Sequence, residues 1–331
     1  MSTWFDLPRM EPLAPDADYP LFNRFSLETH SKCNRACSFC PVSSGRRDFV
    51  KPMDWALLTR IVDELARLGY DGIMSMFLLN EPLINKRFVA ELQYVREKLP
   101  RCSAYVSTNG DVLAAAKDPA AKLAEYYDAG ATTVNLNVYD AGSEQYDRYW
   151  RIVCDAVDRG VADYTEHKYR RHAHTKRMIA FSDMRVDRPG GLVTDMFYTR
   201  TSEERSRSPE RKAKWCMRPF RHMVVLWDGR VPVCCAVDPT AEDLVVAGDV
   251  RERSVAEVWS RSDVFRRYRY HLQQKKRDLP SCDTCDHTMQ YAWVYRHVAV
   301  TEAERERWAR QQEDYLVSLE EAREGAEEAT T

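Results

Sequence analysis

Cys33-Asn34-Arg35-Ala36-Cys37-Ser38-Phe39-Cys40 places three thiols at CxxxCxxC spacing, directly after the strand-like run Arg24-Phe25-Ser26-Leu27-Glu28-Thr29. Three thiolates hold three corners of a [4Fe-4S] cube, whereas a structural or electron-transfer cluster normally takes four protein ligands. One iron is then left open for another ligand. The competing readings are a zinc knuckle, a disulfide or buried thiols. Zinc sites bring cysteines in CxxC pairs that close a tetrahedron, a habit the CxxxC step does not follow. Disulfide frameworks belong to small secreted domains, and this chain has 331 residues. Its start, Met1-Ser2-Thr3-Trp4-Phe5-Asp6, has no basic stretch followed by an apolar one, so no secretion signal is visible.

Outward from the loop, the bulk numbers are those of a globular chain: 44% apolar and 30% charged residues, with a formal net charge of -2. No global basic field draws it to nucleic acid, and no segment is apolar enough to span a membrane. Ten cysteines in a chain without an export signal point to metal or catalytic thiols in a reducing compartment, the cytoplasm. The basic run from Lys168 to Arg177 reads as a solvated loop.

Beyond the loop, helical and strand-like patterns alternate. Asp54 is placed to cap a helix carrying Trp55, Leu58, Ile61, Val62, Leu65 and Leu68, closed by Gly69. The strand-like run from Gly72 to Leu78 follows. A helix from Phe88 to Lys98 precedes the strand 103–107, and a helix near 120–129 ends at Gly130 before the strand 132–138. The segment 144–157 reads as a helix and 178–181 as a strand. Strands separated by helices imply a parallel α/β sheet, and closing such units side by side gives a partial (βα)6 TIM-like barrel over residues 24–200. In parallel barrels the chemistry gathers at the C-terminal strand ends. Those ends carry Asn80-Glu81-Pro82, Ser107-Thr108-Asn109-Gly110 and, on one face of the next strand, Asn135 and Asn137.

The cysteine loop resembles that of the radical S-adenosylmethionine (SAM) superfamily. The resemblance implies that Cys33, Cys37 and Cys40 hold a [4Fe-4S] cluster whose open iron takes the amino and carboxylate groups of SAM. An electron then cleaves the sulfonium, and the 5′-deoxyadenosyl radical takes a hydrogen atom from substrate. It further implies that Phe39 packs near the adenine and that Glu81 binds the SAM ammonium. Ser107, Asn109 and Asn137 would be further cofactor contacts. The family turn at Glu81 carries two glycines before Glu-Pro; here both are replaced.

The C-terminal third carries a second thiol set. Trp227-Asp228-Gly229-Arg230 reads as a hairpin turn between Met223-Val224-Val225-Leu226 and Val231-Pro232-Val233-Cys234. Cys216, Cys234 and the pair Cys282-Asp283-Thr284-Cys285 offer four ligands for a closed site, and chemistry alone admits zinc or an iron–sulfur cluster. The spacing resembles SPASM domains in their shortened twitch form, which implies one auxiliary [4Fe-4S] cluster on residues 201–295. Residues 1–23 are then an N-terminal extension and 296–331 a charged C-terminal helix and tail.

Strand neighbours point to opposite faces, so Cys234 and Cys235 are not expected to share a cluster. Cys235 reads either as a small buried side chain or as a hydrogen-atom donor. Arg188, in a stretch whose family counterpart lies near substrate, reads as an exposed turn residue or as a group polarising a substrate hydroxyl or carboxylate. Cys102 and Cys154 read as core thiols. The resemblance to twitch dehydrogenases and epimerases implies hydrogen abstraction from a sugar or aminocyclitol intermediate. The outcome is dehydrogenation, with the auxiliary cluster as electron acceptor, or epimerisation through Cys235. A sugar-acid decarboxylase and a peptide-modifying enzyme are the alternatives. The implied partners are a small-molecule substrate and an external one-electron donor such as flavodoxin or ferredoxin.

Overall fold

Asp54 opens the first crossover helix. Its carboxylate accepts the N–H groups of Ala56 and Leu57 at 2.8 and 3.2 Å, taking up donors that a first helical turn leaves unpaired. This helix, α1 (Trp55–Arg67), buries Leu58, Ile61, Val62 and Leu65 at steps that make one face. Gly69 closes it at φ 65°, a left-handed conformation open to glycine. Trp55, expected on the buried stripe, is instead exposed and lies edge-on to Tyr94.

The computed structural model describes residues 21–37, 40, 52–166, 174–185, 216, 218–236, 244–273 and 278–283. The strands are β1 (Arg24–Leu27), β2 (Ile73–Ser75), β3 (Ser103–Thr108), β4 (Thr133–Val138), β5 (Asp163–Tyr164), β6 (Met178–Asp183) and β7 (His222–Val225). They form one sheet in the order β5-β6-β4-β3-β2-β1-β7, parallel at every pairing. Crossovers run through α1, α2 (Phe88–Lys98), α3 (Asp111–Ala114), α4 (Pro119–Asp128) and α5 (Glu144–Asp158). Phe25, Leu27, Met74, Val106, Val134 and Leu136 enter the core that these helices cover. Their strand neighbours turn to the opposite, inner face, which carries Ser26, Ser75, Ser107, Asn135 and Asn137 beside a small apolar cluster of Ile73, Tyr105 and Phe77.

Strand β2 is shorter than its apolar run. Past Ser75 the chain leaves the ladder, and Leu78 and Leu79 donate instead to Asn80 Oδ1 at 2.9 Å and Glu28 Oε1 at 3.4 Å. The hairpin expected around Gly229 is divided. Its turn forms, with Gly229 at φ 93° donating to Leu226 O at 2.9 Å. Its first arm, however, is β7, paired in parallel with β1 from Arg24↔His222 to Leu27↔Val225. The second arm, β8 (Arg230–Pro232), pairs antiparallel with β9 (Val246–Asp249). A parallel partner nearly 200 residues away leaves no local signal, whereas Asp228-Gly229 does.

Residues 21–23, placed with the N-terminal extension by sequence, are built into the barrel. Asn23 donates to Arg221 O at 3.1 Å and accepts from Ile73 N at 3.0 Å. Phe22 packs on Phe25 and edge-on to Trp259, with centroids 5.1 and 5.2 Å away. Trp259 lies on α7 (Val255–Arg261), which follows α6 (Arg218–Arg221) and precedes α8 (Asp263–Gln273). The C-terminal unit docks on α1, where the buried Glu64 accepts Ala256 N at 3.0 Å and Arg60 donates to Val250 O. Cys102 is buried as expected, but Cys154 lies exposed on the outer face of α5. Residues 168–173 of the basic run and the C-terminal segment 296–331 lie outside the described residues.

His222 turns to the inner face, and Ser26 Oγ lies 2.8 Å from its Nε2. Burial, with Arg24 and Arg218 nearby, holds it neutral, well below its ordinary 6.5. The unfolded chain takes up a proton at this histidine below that value and the folded chain does not, so His222 removes stability as pH falls. His222→Gln is therefore expected to flatten the loss of stability below about pH 6.5, read from urea midpoints against pH.

Candidate active site

The site is built where the chain leaves the C-terminal ends of β1 to β4. After β1 comes the cysteine loop. Cys33 Sγ accepts Arg35 N–H at 3.5 Å and lies 3.9 Å from Asn109 Nδ2, while Cys40 N–H donates to Cys37 O at 2.9 Å. Burial pushes the Cys33 and Cys37 thiols up. A bound metal reverses that preference, because ligand thiols are held deprotonated. Among the described residues no three His, Cys, Asp or Glu side chains converge as they would on a single ion. A cube of four irons holds its sulfurs wider apart, and three thiols with a vacant fourth corner suit it. Phe39 lies outside the described residues.

Glu81 ties this loop to the sheet. It is 2% exposed; its carboxylate accepts Thr108 Oγ at 2.6 Å, Asn109 N–H at 2.7 Å and Leu83 N–H at 3.1 Å. Its own N–H donates to Lys32 O at 2.9 Å. Burial raises the carboxyl to about 7, against the lowering pull of those donors. Asn109 completes the link: Nδ2 donates to Asn34 Oδ1 at 2.8 Å, and its carbonyl accepts Tyr149 OH at 2.8 Å. Gly110 turns there at φ 77°, and a Cβ on it would meet the Tyr149 ring at 2.6 Å, so only glycine fits. The structure thus brings together Cys33, Glu81 and Asn109.

Ser107 and Asn137 also meet, deeper in the barrel. Asn137 Nδ2 donates to Ser107 Oγ and Thr108 O, each at 2.9 Å, and its Oδ1 accepts Asn135 Nδ2 at 2.8 Å. Ser182 Oγ donates to Asn135 Oδ1 at 2.8 Å. This ladder satisfies amides that would be costly to bury alone.

The second thiol set lies at the other end of the strands. Cys216 precedes β7, and Cys234 Sγ lies 4.0 Å from the guanidinium of Arg218, directly before β7. Cys216, Cys234 and Cys282 all border the core. Residues 233–236 leave the strand in a turn, where Cys234 Sγ accepts Ala236 N–H at 3.3 Å. The alternation expected to separate Cys234 from Cys235 therefore fails. Cys235 and Arg218 beside it bring the Cys234 thiol down, while Cys234 and burial raise that of Cys235. Cys285 and Arg188 lie outside the described residues.

Sequence reasoning passed over Arg35, whose guanidinium joins the loop to Asp111 and Asp140; Thr108, read only as part of a polar strand end, bonds Glu81. It also passed over Tyr139, whose ring follows β4 within electrostatic reach of all three loop cysteines. Arg35 stands inside the quoted motif, and the two aspartates directly follow strand ends, so position alone was the available signal.

A parallel barrel with three thiols at one end and a second set at the other defines an iron–sulfur enzyme scaffold. Residues 27–180 match the radical SAM superfamily model, and residues 216–286 match SPASM, an iron-sulfur cluster-binding domain. Residues 27–180 and 216–286 thus carry a radical SAM domain and a SPASM domain, and the cofactors are those of such domains: SAM, a [4Fe-4S] cluster that binds it, and an auxiliary [4Fe-4S] cluster. It is 24% identical over 271 residues to the S-adenosyl-L-methionine-dependent 2-deoxy-scyllo-inosamine dehydrogenase of Niallia circulans, covering 80% of this chain and 93% of that protein. The fold is similar to BtrN in complex with AdoMet and 2-DOIA, with TM-score 0.57 and 23% identity over 81% of this chain and 93% of that one. BtrN in an open conformation gives TM-score 0.55 and 20% identity at the same coverage. No helix among the described residues is long and apolar enough to cross a membrane.

Glu81 yields a pH signature. Because the folded carboxyl keeps its proton up to about 7 and the unfolded one loses it near 4.5, folding takes up a proton in that window and Glu81 costs stability as pH rises. Glu81→Gln sets an amide against three donors and is expected to cost about 1–3 kcal/mol. The deficit should narrow between pH 5 and pH 7, as read from denaturant melts of both proteins.

Proposed function

We propose that the chain is a radical SAM dehydrogenase that oxidises a hydroxyl-bearing carbon of an aminocyclitol or sugar intermediate in natural-product biosynthesis. Cys33, Cys37 and Cys40 would hold the SAM-binding cluster, and Cys216, Cys234, Cys282 and Cys285 the auxiliary one, in the single-cluster twitch form. The observation that carries this reading is positional. β1 and β7 lie side by side in register; one thiol set follows the C-terminal end of β1 and the other flanks the N-terminal end of β7. A substrate on the polar inner face then lies between hydrogen-atom acceptor and electron acceptor. The 2-deoxy-scyllo-inosamine dehydrogenase relative supports the aminocyclitol class.

When bound, SAM and its cluster supply the adenosyl radical that accepts a hydrogen atom, and the auxiliary cluster supplies an electron acceptor. The protein's own part is binding and orientation. Once ionised, Glu81 has one lone-pair position on Oε2 beyond the Asn109 bond, suited to an ammonium donor. Asn109, beside Cys33, orients the same region, and Phe39 packs on the adenine. Ser107 and Asn137 anchor the polar wall on which SAM lies. Arg188 polarises the substrate hydroxyl. Reduction comes from an external one-electron donor such as flavodoxin or ferredoxin, in the cytoplasm.

Dehydrogenation is better supported than epimerisation, because the relative that this chain matches over 271 residues is a dehydrogenase. Anaerobic reduction with SAM and 2-deoxy-scyllo-inosamine should give 5′-deoxyadenosine and a ketone in equal amounts. Absence of 5′-deoxyadenosine overturns the class of chemistry, and an epimer in place of the ketone overturns the outcome. Cys235→Ala should keep the about eight irons of two cubes and still form ketone, while Cys234→Ala should fall to about four. The reverse pattern of iron counts would make Cys235 the ligand.

A further inference from the structure

Arg35 stands between Cys33 and Cys37, and its guanidinium is shared by carboxylates from two strand ends. Nε and Nη2 each donate to Asp111, just past β3, at 2.6 Å. Nη1 and Nη2 donate to Asp140, just past β4, at 2.6 and 3.2 Å. The neighbouring Asn34 donates to Asp111 at 3.0 Å and accepts from Asn109 at 2.8 Å. Asp111 is braced in turn by Tyr149 OH from α5 at 2.9 Å, and Gln145 on that helix accepts the N–H groups of Tyr139 and Asp140 at 2.7 and 2.9 Å.

Exposed ion pairs generally add little, but this one is of another kind. The Arg35 side chain is 16% exposed and Asp111 27%, against 53% for Asp140, and the planar fork makes paired contacts that lysine cannot copy. Arg35 and both aspartates lie within electrostatic reach of the Cys37 thiol. Among the described residues Arg35 is the cation that acts on Cys37, set against two carboxylates. A cluster's reduction potential responds to net charge, hydrogen bonding and exposure around it.

We propose that Arg35 is a positioning residue that fixes the cysteine loop on the ends of β3 and β4, and that its charge also sets how readily the cluster held there is reduced. The inference rests on the assignment of Cys33, Cys37 and Cys40 made under the proposed function. Removing the guanidinium leaves Asp111 and Asp140 uncompensated and disfavours the incoming electron. Removing the Asp140 charge does the reverse. A loop that is merely loosened moves both variants the same way.

The test is an EPR-monitored redox titration of the SAM-binding cluster in the reconstituted full-length protein, with iron retention under a chelator measured in parallel. Arg35→Gln should shift the midpoint to lower potential and Asp140→Asn to higher potential. Arg35→Lys, with the charge but not the fork, should keep the midpoint near wild type and lose iron several-fold faster. Midpoints of Arg35→Gln and Asp140→Asn that move together, or stay put, overturn the electrostatic role. Unchanged iron loss in Arg35→Lys overturns the positioning role. Should Arg35→Gln assemble no cluster, Asp140→Asn decides the charge argument alone, an unchanged or lowered midpoint overturning it. A wild-type cluster signal that does not respond to SAM overturns the underlying assignment, separately from these comparisons.

Discussion

β1 has four residues and a parallel partner on each edge. Its backbone pairs with β2 from Arg24↔Ile73 to Ser26↔Ser75, and with β7 from Arg24↔His222 to Leu27↔Val225. Because buried backbone groups must be paired, this double pairing fixes where the segments leading into and out of all three strands can lie. The cysteine loop must leave at the C-terminal edge of the sheet, and the segment with Cys216 must enter at the opposite edge. The separation between the two thiol sets thus follows from ordinary ladder geometry, with Phe25 and Leu27 driven into the helix-covered core and Ser26 turned inward.

The inner face has the opposite problem. A barrel lined with serines, asparagines and a histidine loses the free energy that apolar packing would give, and each unpaired polar atom adds a cost. The protein offsets this by linking side chains across strands, as in Ser182–Asn135–Asn137–Ser107. Such a wall is rigid because every member is committed, and rigidity at the strand ends is what orientation of a small reactant needs. Ser75 Oγ, fully buried beside Ser26, has no protein partner and is one of the polar atoms whose burial is not offset.

How much of this was legible depended on the range of the interaction. Helices and their ends were readable because caps and periodicities are local: Asp54, Gly69 and Gly130 each fall where the chain turns. The cysteine loop and Glu81 were legible through residue spacing. The pairing of β7 with β1 was not, since nothing near His222 announces a partner at Arg24, and the adjacent Asp228-Gly229 turn suggested a local one. Cys154 looked like a core thiol because it sits in a helix with a buried stripe, yet it occupies the exposed face. Arg35 was hidden inside a motif read only for sulfur. Cys235 misled because the alternation rule was carried past the last residue of β8.

The docking of the C-terminal unit on α1 bears on modularity. Glu64 is 2% exposed and burial already pushes its carboxyl up; what keeps it tolerable is the backbone of α7. Excising the C-terminal third would strip that acid of its donors, uncover Phe22 and lay bare one side of β1. The two family-sized segments of this chain therefore share a buried interface and a strand pairing, and a cut between them would expose both.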